Sequence, residues 1–356
     1  MLSLEHRVPA FATRQAPTPP TKLSSSFSSM EWKKRFYQQY HEVDGFYISK
    51  SFPVDCVRSA LRYKAQPGDL FIVSYPKCGT TWMQHIVYNI INNHSPPKNQ
   101  LLSWMEMPFL EAQGAESIND MKKPGPMKTH MSFLFQPYSK DAKYIYVARN
   151  PFDCCVSFFY HTRDMPEYNF QEGTFDQFFE MFLEGKVDFG DYFDHLLSWY
   201  EHRDDANVLF VTYEQLKKDV RAWISKIADF VGEEYGRKLR DETGRLENVL
   251  ANISIKSMRE CVNESMQTSF NVLQTAFSGE VPKWVEQLKV AIGVDATEKP
   301  MCGDFVRKGV VGDWRNHFSE DQVKRLQKKI EEKTRGSNVM DLWKDVDIPH
   351  QDIFIH

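Results

Sequence analysis

Apolar positions along the chain fall into two alternating patterns. Three short unbroken runs have strand length and β-branched or aromatic content: Leu70-Phe71-Ile72-Val73 leading into Ser74-Tyr75, Tyr144–Ala148, and Val208–Val211. Apolar residues at helical spacing follow each run. The first such helix runs from Trp82 to about Asn92. Phe175, Phe178, Phe179 and Phe182 recur at i, i+3, i+4 and i+7, and Thr174 with Gln177 forms a capping box in front of them. Phe193, Leu196, Leu197 and Tyr200 repeat the spacing. Thr212 and Gln215 open a helix carrying Leu216, Val220, Trp223, Ile224 and Ile227, which Gly232 ends. Strands alternating with helices predict an α/β fold, one domain over residues 31–356 with a central, mainly parallel sheet flanked by helices. The stretch from Gly232 to Cys302 has the weakest periodicity. Residues 1–30 carry Pro9, Pro17, Pro19, Pro20 and a serine-rich run from Ser24 to Ser29, which predicts a disordered N-terminal extension. Arg7, Arg14 and Lys22 against Glu5 give it the charge of a mitochondrial presequence, but the prolines interrupt the helix such a signal needs.

Charge narrows the functional classes. The 356 residues hold 44 Lys and Arg against 48 Asp and Glu, a net charge of −4. That argues against a nucleic-acid binder and leaves room for a local anion site. No stretch of about 18 apolar residues occurs, so no membrane span is expected. The six cysteines (Cys56, Cys78, Cys154, Cys155, Cys261, Cys302) form no C-x-x-C pair, and no structural metal site is expected. Sparse thiols without a secretory signal predict a cytoplasmic protein, and the sequons at Asn93, Asn252 and Asn263 then read as coincidental.

Four segments carry chemistry. In Ser74-Tyr75-Pro76-Lys77-Cys78-Gly79-Thr80-Thr81-Trp82 a strand ends, a turn follows and a helix begins. Free N–H groups and the helix dipole make that turn a P-loop-like anion site, to which Lys77 adds a charge and Thr80 and Thr81 add hydroxyls. The Walker order is absent, because the lysine precedes the glycine. The second strand runs into Arg149-Asn150-Pro151, where a P-loop NTPase carries a metal-holding Asp. A cation there favours a second phosphate, with Ser157 on the following helix as a hydroxyl donor. In Met127-Lys128-Thr129-His130, Lys128 and His130 alternate and so face one side of an extended segment. Arg307-Lys308-Gly309 can wrap a phosphate with two cations and an N–H, ahead of Gly312-Asp313-Trp314.

In this order, over most of residues 40–335, the four segments closely resemble the cytosolic sulfotransferase family. Pro108-Phe109-Leu110-Glu111 resembles the family's segment lining the acceptor pocket. The resemblance implies 3′-phosphoadenosine 5′-phosphosulfate (PAPS) as sulfonate donor, adenosine 3′,5′-bisphosphate as product, and no metal. It implies that Lys77, Cys78, Gly79, Thr80 and Thr81 hold the 5′-phosphosulfate, with Lys77 at the leaving oxygen. It places adenine against Trp82 and Tyr213, and the 3′-phosphate on Arg149, Ser157, Arg307, Lys308 and Gly309. His130 becomes the general base and Lys128 the stabiliser of the transferring group. Phe109, Lys128 and His130 then face the acceptor, a small hydroxyl or amine compound such as a phenol, catecholamine or sterol.

The chain departs from the family in three places. Ile253-Ser254-Ile255 stands where the family has Thr-Ser-Phe, so Ser254 and Ile255 take the corresponding donor positions without the aromatic ring. The span from about 259 to 304 is longer than usual and reads as a lid over the acceptor or a packed helical cap. Its apolar residues are Phe270, Val272, Leu273, Phe277 and Trp284. Asn316–Lys324 does not match the family's dimer motif, leaving monomer and homodimer both open; Ser319 with Gln322 reads as a capping box there. The competing functions are a P-loop nucleotide kinase or NTPase and a non-catalytic nucleotide-binding protein.

Overall fold

The computed structural model describes residues 29–119 and 121–349. Except for its last two residues, which begin the helix Ser29–Tyr37, the expected N-terminal extension lies outside the described residues. The central sheet comprises β3 (Leu70–Val73), β4 (Pro126–Thr129), β5 (Lys143–Ala148) and β6 (Val208–Thr212), all parallel, in the order β4-β3-β5-β6. A separate antiparallel hairpin, β1 (Tyr40–Val43) with β2 (Phe46–Ser49), precedes it. The predicted α/β architecture is therefore the observed one. β4 and the hairpin give no apolar run of their own: β4 reads Pro-Met-Lys-Thr and is recognised as a strand by its pairing with β3.

Side chains alternate across the sheet, and each face receives its own helices. Leu70, Ile72, Ile145, Val147 and Val211 pack against Met83, Ile86, Val87 and Ile90 of the helix Thr80–Asn92 and against Ile224, Ile227 and Ala228. Phe71, Val73, Tyr144 and Tyr146 face the helices Pro151–Asp164 and Tyr192–Tyr200; the rings of Phe71 and Tyr144 stack at 5.0 Å. The capping boxes at Thr174/Gln177, Thr212/Gln215 and Ser319/Gln322 are all formed. The single helix expected after Thr212 is instead two, Tyr213–Lys218 and Val220–Val231. The break falls at Asp219, which leaves helical geometry (φ −148°) and accepts from Ala222 N–H as the cap of the second helix. Residues 259–304 form a cap of short helices joined by irregular turns, the longest being Lys283–Ile292. Trp284 on the helix Lys283–Ile292 packs against Trp104 at 6.1 Å, and Asn99 donates to the Leu273 carbonyl. Val272 points away from the interior and is 58% exposed.

One carboxylate joins the sheet to the C-terminal loop. Asn150 caps the helix Pro151–Asp164. Asp153 in that first turn, 1% exposed, accepts from Gly312 N–H at 2.7 Å and Trp314 N–H at 3.0 Å. Replacing it strands two buried donors. Asp153→Ala is expected to lower the unfolding free energy in urea by about 3 kcal/mol. A loss under about 1 kcal/mol contradicts this anchoring role.

Candidate active site

All four sheet strands run parallel, so their C-terminal ends open on one edge, and the turns leaving them converge on one cavity. The turn after β3 places Lys77 in the left-handed region (φ +67°) and Gly79 at φ +109° as cap of the helix Thr80–Asn92. A Cβ on Gly79 would lie 3.1 Å from the Tyr213 ring, so that cap needs glycine on two counts. The first N–H groups of this helix have no intrahelical acceptor and face the cavity lined by Lys77, Gly79, Thr80, Thr81 and Trp82. Cys78 turns away, buried, with its sulfur 3.7 Å from that of Cys154.

Arg149 ends β5, buried beneath the turn. It donates to the Lys77 carbonyl at 3.0 Å, lies 4.5 Å from the Tyr213 ring centroid, and keeps a buried Nε with no partner. Ser157 lines the same cavity from the next helix. Arg307 and Lys308 arrive from the C-terminal loop, and Asp313 holds both at 2.6 Å. Burial works to raise the Asp313 pKa, but the hydrogen bonds from Lys308, Asn316 and Arg307 overcome it and keep the carboxylate ionised far below its ordinary value. Gly309 adopts φ +66°, and a Cβ there would meet Ile255 Cδ1 at 2.7 Å. Trp82 and Tyr213 meet edge-on at 5.6 Å; with Ile253 and Ile255 they form a flat apolar slot, and Trp82 Nε1 donates to the Ile253 carbonyl. Like Cys78, Ser254 departs from the positions expected around the donor. Its hydroxyl caps the helix Ile255–Met258, accepting from Ser257 N–H, and it does not line the cavity.

Lys128 and His130 lie at the β4 end, facing the cavity together. His130 Nδ1 is 2.7 Å from the Ser74 carbonyl. A carbonyl only accepts, so Nδ1 carries the proton and Nε2 keeps its lone pair. Phe109 (5.3 Å) and Phe189 (5.0 Å) flank the imidazole. Burial, followed by the charge of Lys128, pushes its pKa down to about 3, so the ring is neutral. Burial brings Lys77 down to about 7, with Arg149, Lys128 and Arg307 adding to the effect, and Lys128 down to about 8. Neither lysine has a carboxylate within 4.0 Å among the described residues; each rests on aromatic faces instead, Lys77 on Phe305 at 3.5 Å and Lys128 on Phe109 at 4.2 Å.

Glu111, which the sequence reading placed only in a pocket-lining segment, has a positioning role. Fully buried, it accepts from His130 N–H at 2.6 Å and from Thr129 Oγ1 at 2.9 Å, while the Pro108 carbonyl takes Lys128 N–H at 2.7 Å. The segment thus pairs with the open edge of β4. Of four further phenylalanines in this region, Phe158 lines the cavity, whereas Phe133 stacks on His202, Phe135 packs on Phe46 and Phe159 on Phe175. From residues 259–304, Phe270 and Leu273 do line the cavity; Phe277 and Trp284 pack in the core beside it.

Among known proteins, the family model for the sulfotransferase domain matches residues 67–338. Human sulfotransferase 1C2 is 32% identical over 311 residues, spanning 84% of this chain and 93% of its own. Human sulfotransferase 1E1 is 30% identical over 314 residues, 85% of this chain and 96% of its own. The crystal structure of mouse sulfotransferase SULT7A1 complexed with PAP superposes with a TM-score of 0.64 at 27% identity, covering 86% of this chain and 98% of that one. A retinol dehydratase structure at 21% identity and TM-score 0.61, covering 90% of this chain and 96% of that one, shares the fold. No helix among the described residues is long and apolar enough to cross a membrane.

If Glu111 sets the β4 end, Glu111→Ala frees the His130 amide. Hydrogen exchange over residues 127–132 is then expected to quicken at least about tenfold, with Glu111→Gln keeping most of the protection. Unchanged exchange in Glu111→Ala would show that β4 holds His130 without it.

Proposed function

This chain belongs to the sulfotransferase family, and on that premise we propose that it moves a sulfonate group from PAPS to the hydroxyl or amine of a small, mostly apolar acceptor. The PAP in the mouse neighbour supports the donor class. So do the chain's own residues: the partnerless buried Nε of Arg149, two glycines in the left-handed region, and lysines with depressed pKa values all suit a polyanion. Lys77, Gly79, Thr80 and Thr81 would hold the 5′ end. Arg149, Ser157, Arg307, Lys308 and Gly309 would hold the 3′-phosphate, and Trp82, Tyr213 and Ile255 the adenine. Bound there, the nucleotide supplies the sulfonate and leaves as adenosine 3′,5′-bisphosphate.

The observation that carries the reading is the imidazole of His130. Its Nδ1 proton is committed to the Ser74 carbonyl, so Nε2 is an oriented, unprotonated base beside two lysines. It takes the acceptor's proton as the hydroxyl oxygen attacks. Burial is the main cause of its lowered pKa, and Lys128 and Lys77 add to it, so an anion neutralising those lysines relieves their share of the depression. Lys77 faces the developing charge on the leaving oxygen, and Lys128 the transferring group. A loose in-line transfer asks for this positioning and charge rather than for covalent help from the protein. Apolar walls at Phe52, Phe109, Phe158 and Phe189 receive the acceptor's ring or skeleton. Met266, Phe270, Leu273 and Met301, from the cap over residues 259–304, line the same cavity.

His130→Ala is expected to cut transfer of labelled sulfonate from PAPS to a phenol by about 10²-fold or more. Its affinity for adenosine 3′,5′-bisphosphate is expected to stay within about threefold of the wild type. Transfer at the wild-type rate would remove His130 from the mechanism.

A further inference from the structure

His161 lines the cavity from the helix Pro151–Asp164, one turn past Ser157 and Phe158. Its ring stands among three others: Phe305 at 5.6 Å and Tyr168 at 5.7 Å, both edge-on, and Phe158 at 6.2 Å. Phe305 also carries Lys77 on its face, so the imidazole stands one ring away from the reacting end. Its Nδ1 is enclosed in the wall and meets no partner. Nε2 is the accessible nitrogen, and no described residue hydrogen-bonds it either. The hydroxyl of neighbouring Tyr168 donates to Asp188 instead.

Burial first, then nearby Lys77, His130 and Lys128, hold the pKa of His161 well below its ordinary value, so the ring is neutral. A neutral imidazole carries one proton. On Nδ1 that proton would make an enclosed N–H without an acceptor, which folded chains avoid more strictly than an unmet lone pair. The proton therefore belongs on Nε2, where it faces the cavity. The transfer itself leaves this donor unused, since His130 takes the acceptor's proton and Lys77 and Lys128 meet the developing charge. A wholly apolar acceptor would seal it off unpaired, whereas an accepting oxygen completes it. We propose that His161 is a specificity-determining residue whose Nε2–H receives a neutral oxygen, a ketone carbonyl, carried by the acceptor apart from its reacting hydroxyl. The inference rests on the acceptor end of the cavity as assigned under the proposed function. A carbonyl suits the site better than an ion, because a neutral imidazole brings no opposite charge, and better than a group that only donates, because Nε2–H cannot accept.

Binding tests this separately from turnover. Protein loaded with adenosine 3′,5′-bisphosphate is titrated calorimetrically with 4-(4-hydroxyphenyl)butan-2-one and with 4-(3-methylbutyl)phenol, near-isosteres in which a carbonyl oxygen replaces a methyl group. The wild type is expected to bind the ketone at least as tightly as the alkylphenol. His161→Phe is expected to weaken the ketone at least about tenfold relative to the alkylphenol, whose binding also reports that the variant is folded. A wild type that favours the alkylphenol by about tenfold or more, or that binds no ketone, overturns the inference without any variant. So does an unchanged ratio in His161→Phe. Sulfonate transfer to the alkylphenol reports the proposed function on its own. Transfer without a His161-dependent ketone preference sinks only this site, and His161-dependent ketone binding without transfer to either phenol sinks only the sulfonation reading.

Discussion

Positive charge held out of water without matching negative charge is the constraint around which the rest is arranged. Lys77, Lys128 and Arg149 share one cavity; burial, with repulsion from Arg149, Lys128 and Arg307 added, brings Lys77 down to about 7, and burial brings Lys128 down to about 8. A folded chain keeps such an arrangement only if the backbone fixes it. The parallel sheet does so, because three adjacent strands end side by side: Lys77 follows β3, Lys128 lies near the end of β4 and Arg149 follows β5. A polyanion entering this space replaces repulsion with attraction.

Three buried carboxylates outside the cavity lining each connect two parts of the chain. Glu111 joins the acceptor segment to β4, and Asp153 joins the helix after β5 to the C-terminal loop. Glu214, after β6, takes the Asn150 amide and the indole N–H of Trp343. Asp313 touches the cavity cations directly, holding Arg307 and Lys308. Those two side chains are thereby held as a pair at the cavity, while Gly309 leaves room beside Ile255.

Much of this was legible in the sequence. Unbroken apolar runs mark strands buried between helices, and β3, β5 and β6 announce themselves that way. Lys77, Gly79, Arg149 and the Arg307-Lys308-Gly309 run stand out because each chemical type follows a strand end or lies in a glycine turn. Other features were hidden because they depend on contacts distant in sequence. β4 is held by pairing rather than by composition. Glu111 meets His130 across 19 residues. Ser254 was misleading for the opposite reason: a serine before a short helix serves as its cap, and a local hydrogen bond takes the hydroxyl that a family pattern offers to the donor.

The central claim is that the cavity's lysines are incompletely charged until a nucleotide anion completes them. Calorimetric titration of adenosine 3′,5′-bisphosphate at pH 8, in buffers of different ionisation enthalpy, tests it most directly. Lys77 at about 7 and Lys128 at about 8 are largely or half neutral there, and a bound polyanion raises both. The account predicts net uptake of on the order of one proton, falling in Lys77→Met. Binding with no proton uptake, or with release, would contradict it.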